Sequence, residues 1–315
     1  MHRILLFFIV ISPAYFAQAQ TWTLPPSDID IFGQIQTMAA SREETLLDIA
    51  RQYDIGQLEI MQANPNVDRW LPVDGEEVIL PSRYIIPQAE RKGLVLNLPE
   101  MRLYYFPAPN KGERPMVITH PVGIGRQDWV TPLGTSIIVE KKKDPTWTPP
   151  QSIRDAAIAQ GDPPLPNIVP AGPDNPLGRF AMRLGITSGS YLMHGTNKPF
   201  GVGMRVSSGC IRLYPEDIES LFDKVPVGTQ IQIINQPIKL GWLGDLLFIE
   251  LHKPLREDKE KYANYTLMVK MAIYDFLMQK VSNIQGDFVA DLSINDQALE
   301  QAITERSGMP VLISK

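Results

Sequence analysis

Three things are scarce in this sequence, and each scarcity excludes something. Cysteine occurs once in 315 residues, at Cys210. A lone thiol makes no internal disulfide, so it is either a small buried hydrophobe or a reactive group kept for chemistry. Basic charge is not in excess: 30 Lys and Arg stand against 35 Asp and Glu, for a formal net charge of −5. That balance argues against nucleic-acid binding, which leaves a basic footprint. The run Lys141-Lys142-Lys143 is too short for a membrane-surface helix and reads as a solvated strand end. Long apolar runs are also missing. Ile4 to Ile11 is unbroken but falls short of the roughly 20 residues that span a bilayer. The sequence shows no internal repeat and no low-complexity tract.

What is there begins with export. Arg3, the apolar run Ile4 to Ile11, the breaker Pro13 and the small-x-small Ala17-Gln18-Ala19 together read as a secretory signal peptide, residues 1–19. Cleavage after Ala19 leaves 296 residues, a net charge of −6 and no further segment long enough to span a membrane. A chain of that size predicts two domains, or one large domain with an appendage, since domains run to about 100–200 residues. The apolar fraction of 44% is ample for a core. Export also makes Cys210 conspicuous, because spare thiols pair or oxidise in an oxidising compartment.

Residues 20–34 read as a mixed polar lead-in and 35–82 as a small module. Ile35–Met38 is strand-like. Leu46, Ile49, Ala50 and Tyr53 recur at helical spacing within 44–53. A second short helix over Leu58, Ile60 and Met61 stops at Asn64-Pro65-Asn66, since proline disfavours helical geometry in the residue before it. Asp74-Gly75 turns the chain into a strand at Glu77–Leu80, so the order is βααβ. Residues 83–92 read as a linker. From 93 to 235 the chain is strand-rich, with β-prone runs at 94–98, 102–106, 116–122, 135–139, 191–194 and 229–234. A proline-rich stretch, 145–176, interrupts them and reads as a functional lid without regular structure. Pro215 to Val225 predicts a helix with Ile218, Leu221 and Phe222 as its apolar stripe. Residues 240–315 predict a helical C-terminal extension, with helices over 262–281 and 294–304.

The chemistry concentrates between Tyr191 and Leu213. His194 ends an apolar strand, and Cys210 follows sixteen residues later, directly after Ser207-Ser208-Gly209. A thiol attacks carbonyls as the thiolate, and a neighbouring histidine can hold it as an ion pair. Small residues just before a nucleophile let backbone N–H groups of Ser208, Gly209 and Cys210 converge on an oxyanion. Taken singly, either residue reads better as packing; the only thiol of an exported chain, with a histidine between glycine-rich turns, reads as catalytic. Arg205 and Arg212 flank the cysteine as candidate ligands for a substrate carboxylate. Arg212, two residues on, shares the cysteine's face if the segment is a strand. His120 and His252 have no partner nearby in sequence and read as structural.

His194-Gly195-Thr196-Asn197 with Ser207-Ser208-Gly209-Cys210-Ile211-Arg212-Leu213 resembles the signature of the L,D-transpeptidases with a YkuD-type catalytic domain. Gly123-Ile124-Gly125-Arg126 and Thr131-Pro132-Leu133-Gly134-Thr135 look like earlier motifs of the same family, and the likeness spans residues 93–235. The module at 35–82 resembles a LysM peptidoglycan-binding domain, with Glu43-Glu44-Thr45-Leu46 where Gly-Asp-Thr-Leu is usual. The resemblance implies an α+β fold: a β-rich, mixed β-sandwich catalytic domain, a small βααβ domain and the helical extension. It implies a periplasmic enzyme with no cofactor and no metal. Cys210 would attack the meso-diaminopimelate carbonyl of a peptidoglycan tetrapeptide stem, expel D-alanine and pass the acyl group to an amine. His194 would be the general base, Gly195 its orienter, and the backbone at Ser208 and Gly209 the oxyanion hole; Arg212, Arg205 and Asn197 would bind substrate. Many relatives carry histidine where this chain has Ser208, a departure expected to tune the site. The layout resembles the enzymes that attach Braun lipoprotein to peptidoglycan, so the expected acceptor is the C-terminal lysine of an outer-membrane lipoprotein. The alternative is a second diaminopimelate, giving a 3→3 cross-link.

Two other enzyme readings fit less well. A sortase separates its histidine and cysteine by much more than sixteen residues, and papain-like wall peptidases place cysteine before histidine. A non-catalytic wall-binding protein, with the 35–82 module as its working part, is the reading from another class. Rapid alkylation of Cys210 separates the two classes.

Overall fold

The computed structural model describes residues 20–127, 129–186, 190–283 and 292–315, with the side chains of 280–283 excepted. The expected signal peptide, residues 1–19, lies outside the described residues. The chain begins with β1 (Gln20–Thr23) and β2 (Ile31–Ala39). Next come α1 (Leu46–Gln52), α2 (Gln57–Ala63) and β3 (Glu77–Ile85). β2 and β3 pair antiparallel from Ile31↔Ile85 to Ala39↔Glu77. Helix α1 starts at Leu46 because Thr45 caps it: its hydroxyl accepts from the Asp48 N–H while Asp48 reaches back to the Thr45 N–H. α2 ends at Asn64, whose side-chain amide bonds the Ile60 carbonyl and both backbone groups of Ile79. The helix stop thereby also fastens α2 to β3.

The strand-rich region continues with β4 (Gly93–Asn97), β5 (Arg102–Phe106), β6 (Met116–Pro121), β7 (Ile124–Gly125) and β8 (Gly134–Lys143). After α3 (Gln151–Ala159) follow β9 (Phe180–Leu184), β10 (Leu192–His194), β11 (Arg205–Ser207) and β12 (Ile211–Arg212). α4 (Pro215–Lys224) and β13 (Gln230–Ile234) complete the region. One mixed sheet of nine strands runs β1-β6-β5-β4-β13-β8-β9-β10-β12. It curls: Gly123, just past β6, bridges Arg212 of β12, the strand at the far edge. The fold is α+β and β-rich. Its core joins Leu94, Leu96, Met182, Met193, Ile211 and Ile231 to Ile218 and Leu221 of α4. Each such side chain, withdrawn from water, contributes about 1.5–3 kcal/mol. The expected stripe on α4 is there, with Phe222 against the Phe180 ring at 4.9 Å.

The rest of the chain is β14 (Ile238–Leu243), β15 (Leu246–Leu251), α5 (Tyr265–Asn283), α6 (Asp296–Glu305) and β16 (Val311–Leu312).

Four expectations need correction. The C-terminal extension is not only helical, because β14, β15 and β16 form a three-stranded sheet on which α5 and α6 pack. Residues 83–92 are not a free linker: β3 runs on to Ile85, and Tyr84, Ile85 and Ile86 are buried. The lead-in is not loose either, since β1 pairs with β6. The proline-rich 145–176 stretch contains α3, and a Trp147–Val169 bridge closes it. Asn175 holds its base, donating to the carbonyls of Pro145, Val169 and Pro170. Prolines marked this stretch as irregular, but Pro150 sits just before the first helical turn, where a missing N–H costs nothing.

Candidate active site

β10 and β12 lie side by side and parallel, in the register Met193↔Ile211 and His194↔Arg212. One step back, Cys210 stands level with Leu192. Side chains alternate along a strand, so Met193 and Ile211 enter the core while Leu192, His194, Cys210 and Arg212 share the other face. Strand spacing and rise put the Cys210 and His194 Cα atoms about 8 Å apart on the diagonal, within reach of an imidazole and a thiol. The sixteen-residue excursion between them turns back at two glycines with positive φ, Gly203 (+79°) and Gly209 (+95°). At Gly203 a Cβ would stand 2.4 Å from the Gln57 nitrogen, and at Gly209 it would stand 3.2 Å from the Tyr191 ring. Both positions require glycine.

His194 is 3% exposed, and its Nδ1 lies 2.6 Å from the Gly195 carbonyl oxygen. A carbonyl only accepts, so Nδ1 carries the hydrogen and Nε2 holds the lone pair of the neutral ring. Burial, then the charge of Arg212, pushes the His194 pKa down to about 4, against the small upward pull of Gly195. Burial also pushes the Cys210 thiol up, partly offset by the Leu192 N–H and by Arg212. Both shifts favour the uncharged forms of the two side chains.

The peptides on either side of Cys210 are held. The Thr131 hydroxyl donates to the Gly209 carbonyl at 3.1 Å, and the Ser207 hydroxyl donates to the Cys210 carbonyl. Since a peptide is planar and trans, the first contact also aims the Cys210 N–H. Ser208 is half-buried beside them. Neither Thr131 nor Ser207 was singled out from sequence, although both lie in the motifs noted above; a hydroxyl's partner 78 residues away leaves no local trace.

The structure separates the two arginines. Arg205 is engaged, with its fork on the Glu257 carboxylate at 2.8 and 2.9 Å and its Nε on the Gly125 carbonyl. In this structure its donors are spent on protein partners. Arg212 has a buried Nε with no hydrogen-bond partner, and among the described residues no acid pairs with it. Burial, then nearby Arg126, lowers its pKa, while Cys210 raises it. A guanidinium with a donor unpaired is able to take an anion. Asn197 is exposed and donates to the Asp174 carbonyl, so it tethers the end of the 145–176 stretch.

Two histidine–acid clusters stand outside this face, assembled from residues far apart in sequence. His120 lies between Asp54 and Asp217, with Nδ1 3.2 and 3.4 Å from their oxygens, and all three are buried. Burial lowers the His120 pKa, but the two carboxylates outweigh it and raise the value to about 10. Burial and the charge of Asp54 push Asp217 up to about 8. His252 bonds Glu250 at 2.7 Å in the second cluster, where Lys239 stands between Glu100 at 2.9 Å and Glu250 at 2.5 Å.

Residues 91–233 match the YkuD family, the L,D-transpeptidase catalytic domain. The chain is 39% identical over 299 residues to a probable L,D-transpeptidase of Escherichia coli K12, YcfS, covering 94% of this chain and 88% of that one. It is 38% identical over 311 residues to YbiS of the same strain, covering 98% and 96%. The ErfK/SrfK protein of that strain is 38% identical over 316 residues, covering 99% and 96%.

Proposed function

The chain belongs to the L,D-transpeptidase family, and on that premise we propose that Cys210 is its nucleophile and His194 its general base. The observation that carries this is the parallel register of β10 and β12, with Nδ1 committed to Gly195 and the lone pair on Nε2. As Cys210 Sγ bonds to the meso-diaminopimelate carbonyl of a tetrapeptide stem, Nε2 takes the thiol proton. The carbonyl electrons move to an oxyanion, received by the backbone N–H groups of Ser208, Gly209 and Cys210; such donors contribute about 10²–10³ in rate. The oxyanion then collapses, the C–N bond breaks and His194 returns the proton to the D-alanine amine, leaving a thioester. An acceptor amine repeats the sequence in reverse roles and frees the thiol. Arg212 takes a substrate carboxylate through its guanidinium.

The preferred acceptor is the C-terminal lysine of an outer-membrane lipoprotein, and the second is another diaminopimelate. Residues 35–82 serve as a LysM-type glycan-binding domain, 93–235 as the catalytic domain and 240–315 as an appendage to it. The enzyme works in the periplasm after cleavage at Ala19. Among the described residues, no helix is long and apolar enough to cross a membrane.

Purified protein given tetrapeptide muropeptides is expected to release D-alanine and gain the mass of the acyl group. Cys210→Ala is expected to do neither, and an adduct that survives this change refutes the assignment. Adding the lipoprotein's C-terminal peptide or a diaminopimelate-bearing stem then identifies the acceptor.

A further inference from the structure

Asp54, His120 and Asp217 come from three separate parts of the chain. Asp54 follows α1 in a left-handed conformation, φ +54°. His120 is on β6, and Asp217 is in the first turn of α4. None is more than 1% exposed. Yet Asp54 Oδ1, both nitrogens of His120 and both oxygens of Asp217 have no hydrogen-bond partner. Buried polar atoms are almost always paired, so five orphans in one spot need an explanation.

The second cluster shows what is missing. There the carboxylates of Glu100 and Glu250 close on the ammonium of Lys239. Around Asp54 and Asp217, no lysine or arginine among the described residues plays that part, and the charge facing the two carboxylates is that of His120 itself. Arg102 is committed to the Glu59 carboxylate and only to the backbone carbonyl of Asp54, and Arg51 is committed to Glu216.

We propose that Asp54, His120 and Asp217 form a Zn²⁺ site that joins the 31–85 module to the catalytic sheet and to α4. Zinc bound by imidazole nitrogen and carboxylate oxygen holds them about 2.0–2.2 Å away, so ligand atoms stand roughly 3.3–3.5 Å apart along a tetrahedron's edge. The observed 3.2 and 3.4 Å fit that edge. One imidazole with two carboxylates suits zinc, whereas calcium and magnesium favour oxygen alone. Two carboxylates balance the ion's charge, and a water fills the fourth position. The Gln20 nitrogen, the α-amino group once residues 1–19 are removed, donates to Asp54 Oδ2 at 3.2 Å, the outer-shell support that ligating carboxylates ordinarily have. The site also sits close to the reactive strand in sequence: Tyr214, between β12 and α4, donates its hydroxyl hydrogen to the Ile55 carbonyl, next to Asp54.

The test uses the mature chain carrying Cys210→Ala, so that the thiol offers no competing ligand. After stripping with a chelator and dialysis against Zn²⁺, bound metal is counted by mass spectrometry. One equivalent is expected, with a higher melting temperature on adding zinc. Asp217→Asn or His120→Gln in the same background is expected to bring both effects close to zero. Failure of the parent to bind zinc, or full retention by Asp217→Asn, overturns the site. Should the variants misfold, Co²⁺ loaded into the parent decides. Intense visible bands of a tetrahedral ion with nitrogen and oxygen ligands support the site, and their absence overturns it.

Discussion

The Lys239 network and the reactive face are both buried and charged, and they treat their polar groups in opposite ways. Around Lys239 the groups close on one another: the ammonium meets Glu100, Glu250 and the Ile85 carbonyl, and Glu250 also accepts from the Ile85 N–H and faces His252. On the reactive face Arg212 keeps an open donor, and His194 and Cys210 are held neutral. Burial with pairing joins the C-terminal sheet to the catalytic one. Burial without pairing leaves the Arg212 Nε without a protein partner. The difference shows that a buried charge is informative only together with its partners.

Breaking the open side has the larger expected effect. His194→Gln is expected to lower D-alanine release by about 10²–10⁴, the usual contribution of a general base, with little change in melting temperature. The pH profile of acylation sharpens the same point. With His194 pushed down to about 4, the base stays available well below neutrality, and the acid limb is expected near pH 4. A limb near the ordinary histidine value of about 6.5 would show that the ring is solvated. The same depressed value makes folding stability fall as pH drops from about 6.5 towards 4, because the unfolded chain takes up the proton first.

Breaking the closed side moves stability instead. Lys239→Met leaves two glutamates buried without their cation and is expected to cost about 3–5 kcal/mol, read by urea unfolding, while turnover per folded molecule stays near that of the parent. Arg212→Gln is expected to reduce kcat/KM by roughly tenfold to a hundredfold, the loss of about 1.5–3 kcal/mol from a charge-assisted bond to substrate. Its stability should not fall, because no protein partner is lost. Arg51→Ala removes the half-exposed pair with Glu216 and is expected to change unfolding by at most about 1 kcal/mol. A loss comparable to that of Lys239→Met would mean that the module's seam, and not the C-terminal one, carries the stability.

Much of the local structure was legible. Asn64 and Pro215 bound their helices where the residue types required, and the β-prone runs between 94 and 234 are strands. Residues 83–92 looked like a linker because the end of β3 pairs with β2, far back in the sequence, 240–315 looked only helical although a hairpin opens it, and 145–176 looked irregular because its prolines hide a two-turn helix. Around Cys210, the contact of His194 with the Gly195 carbonyl was expected from the resemblance. The pairing of Arg205 was not legible, because its partner Glu257 lies 52 residues further on.

The sequence alone determined the chemistry on offer: one thiol, a histidine sixteen residues before it, and glycines that let the chain return. It also determined the family, through motifs that are local in the chain. Only the tertiary structure decided which charged groups are satisfied. Arg205 and Arg212 are the same residue type seven positions apart, yet one is closed by Glu257 and the other is left open. His120 and His252 looked equally plain, yet one stands between two acids with no lysine or arginine paired to them among the described residues, and the other joins a network built around Lys239. The physical reason is range. Caps, turns and strand propensity act over a few residues, whereas burial and charge pairing depend on which distant strands come to lie side by side.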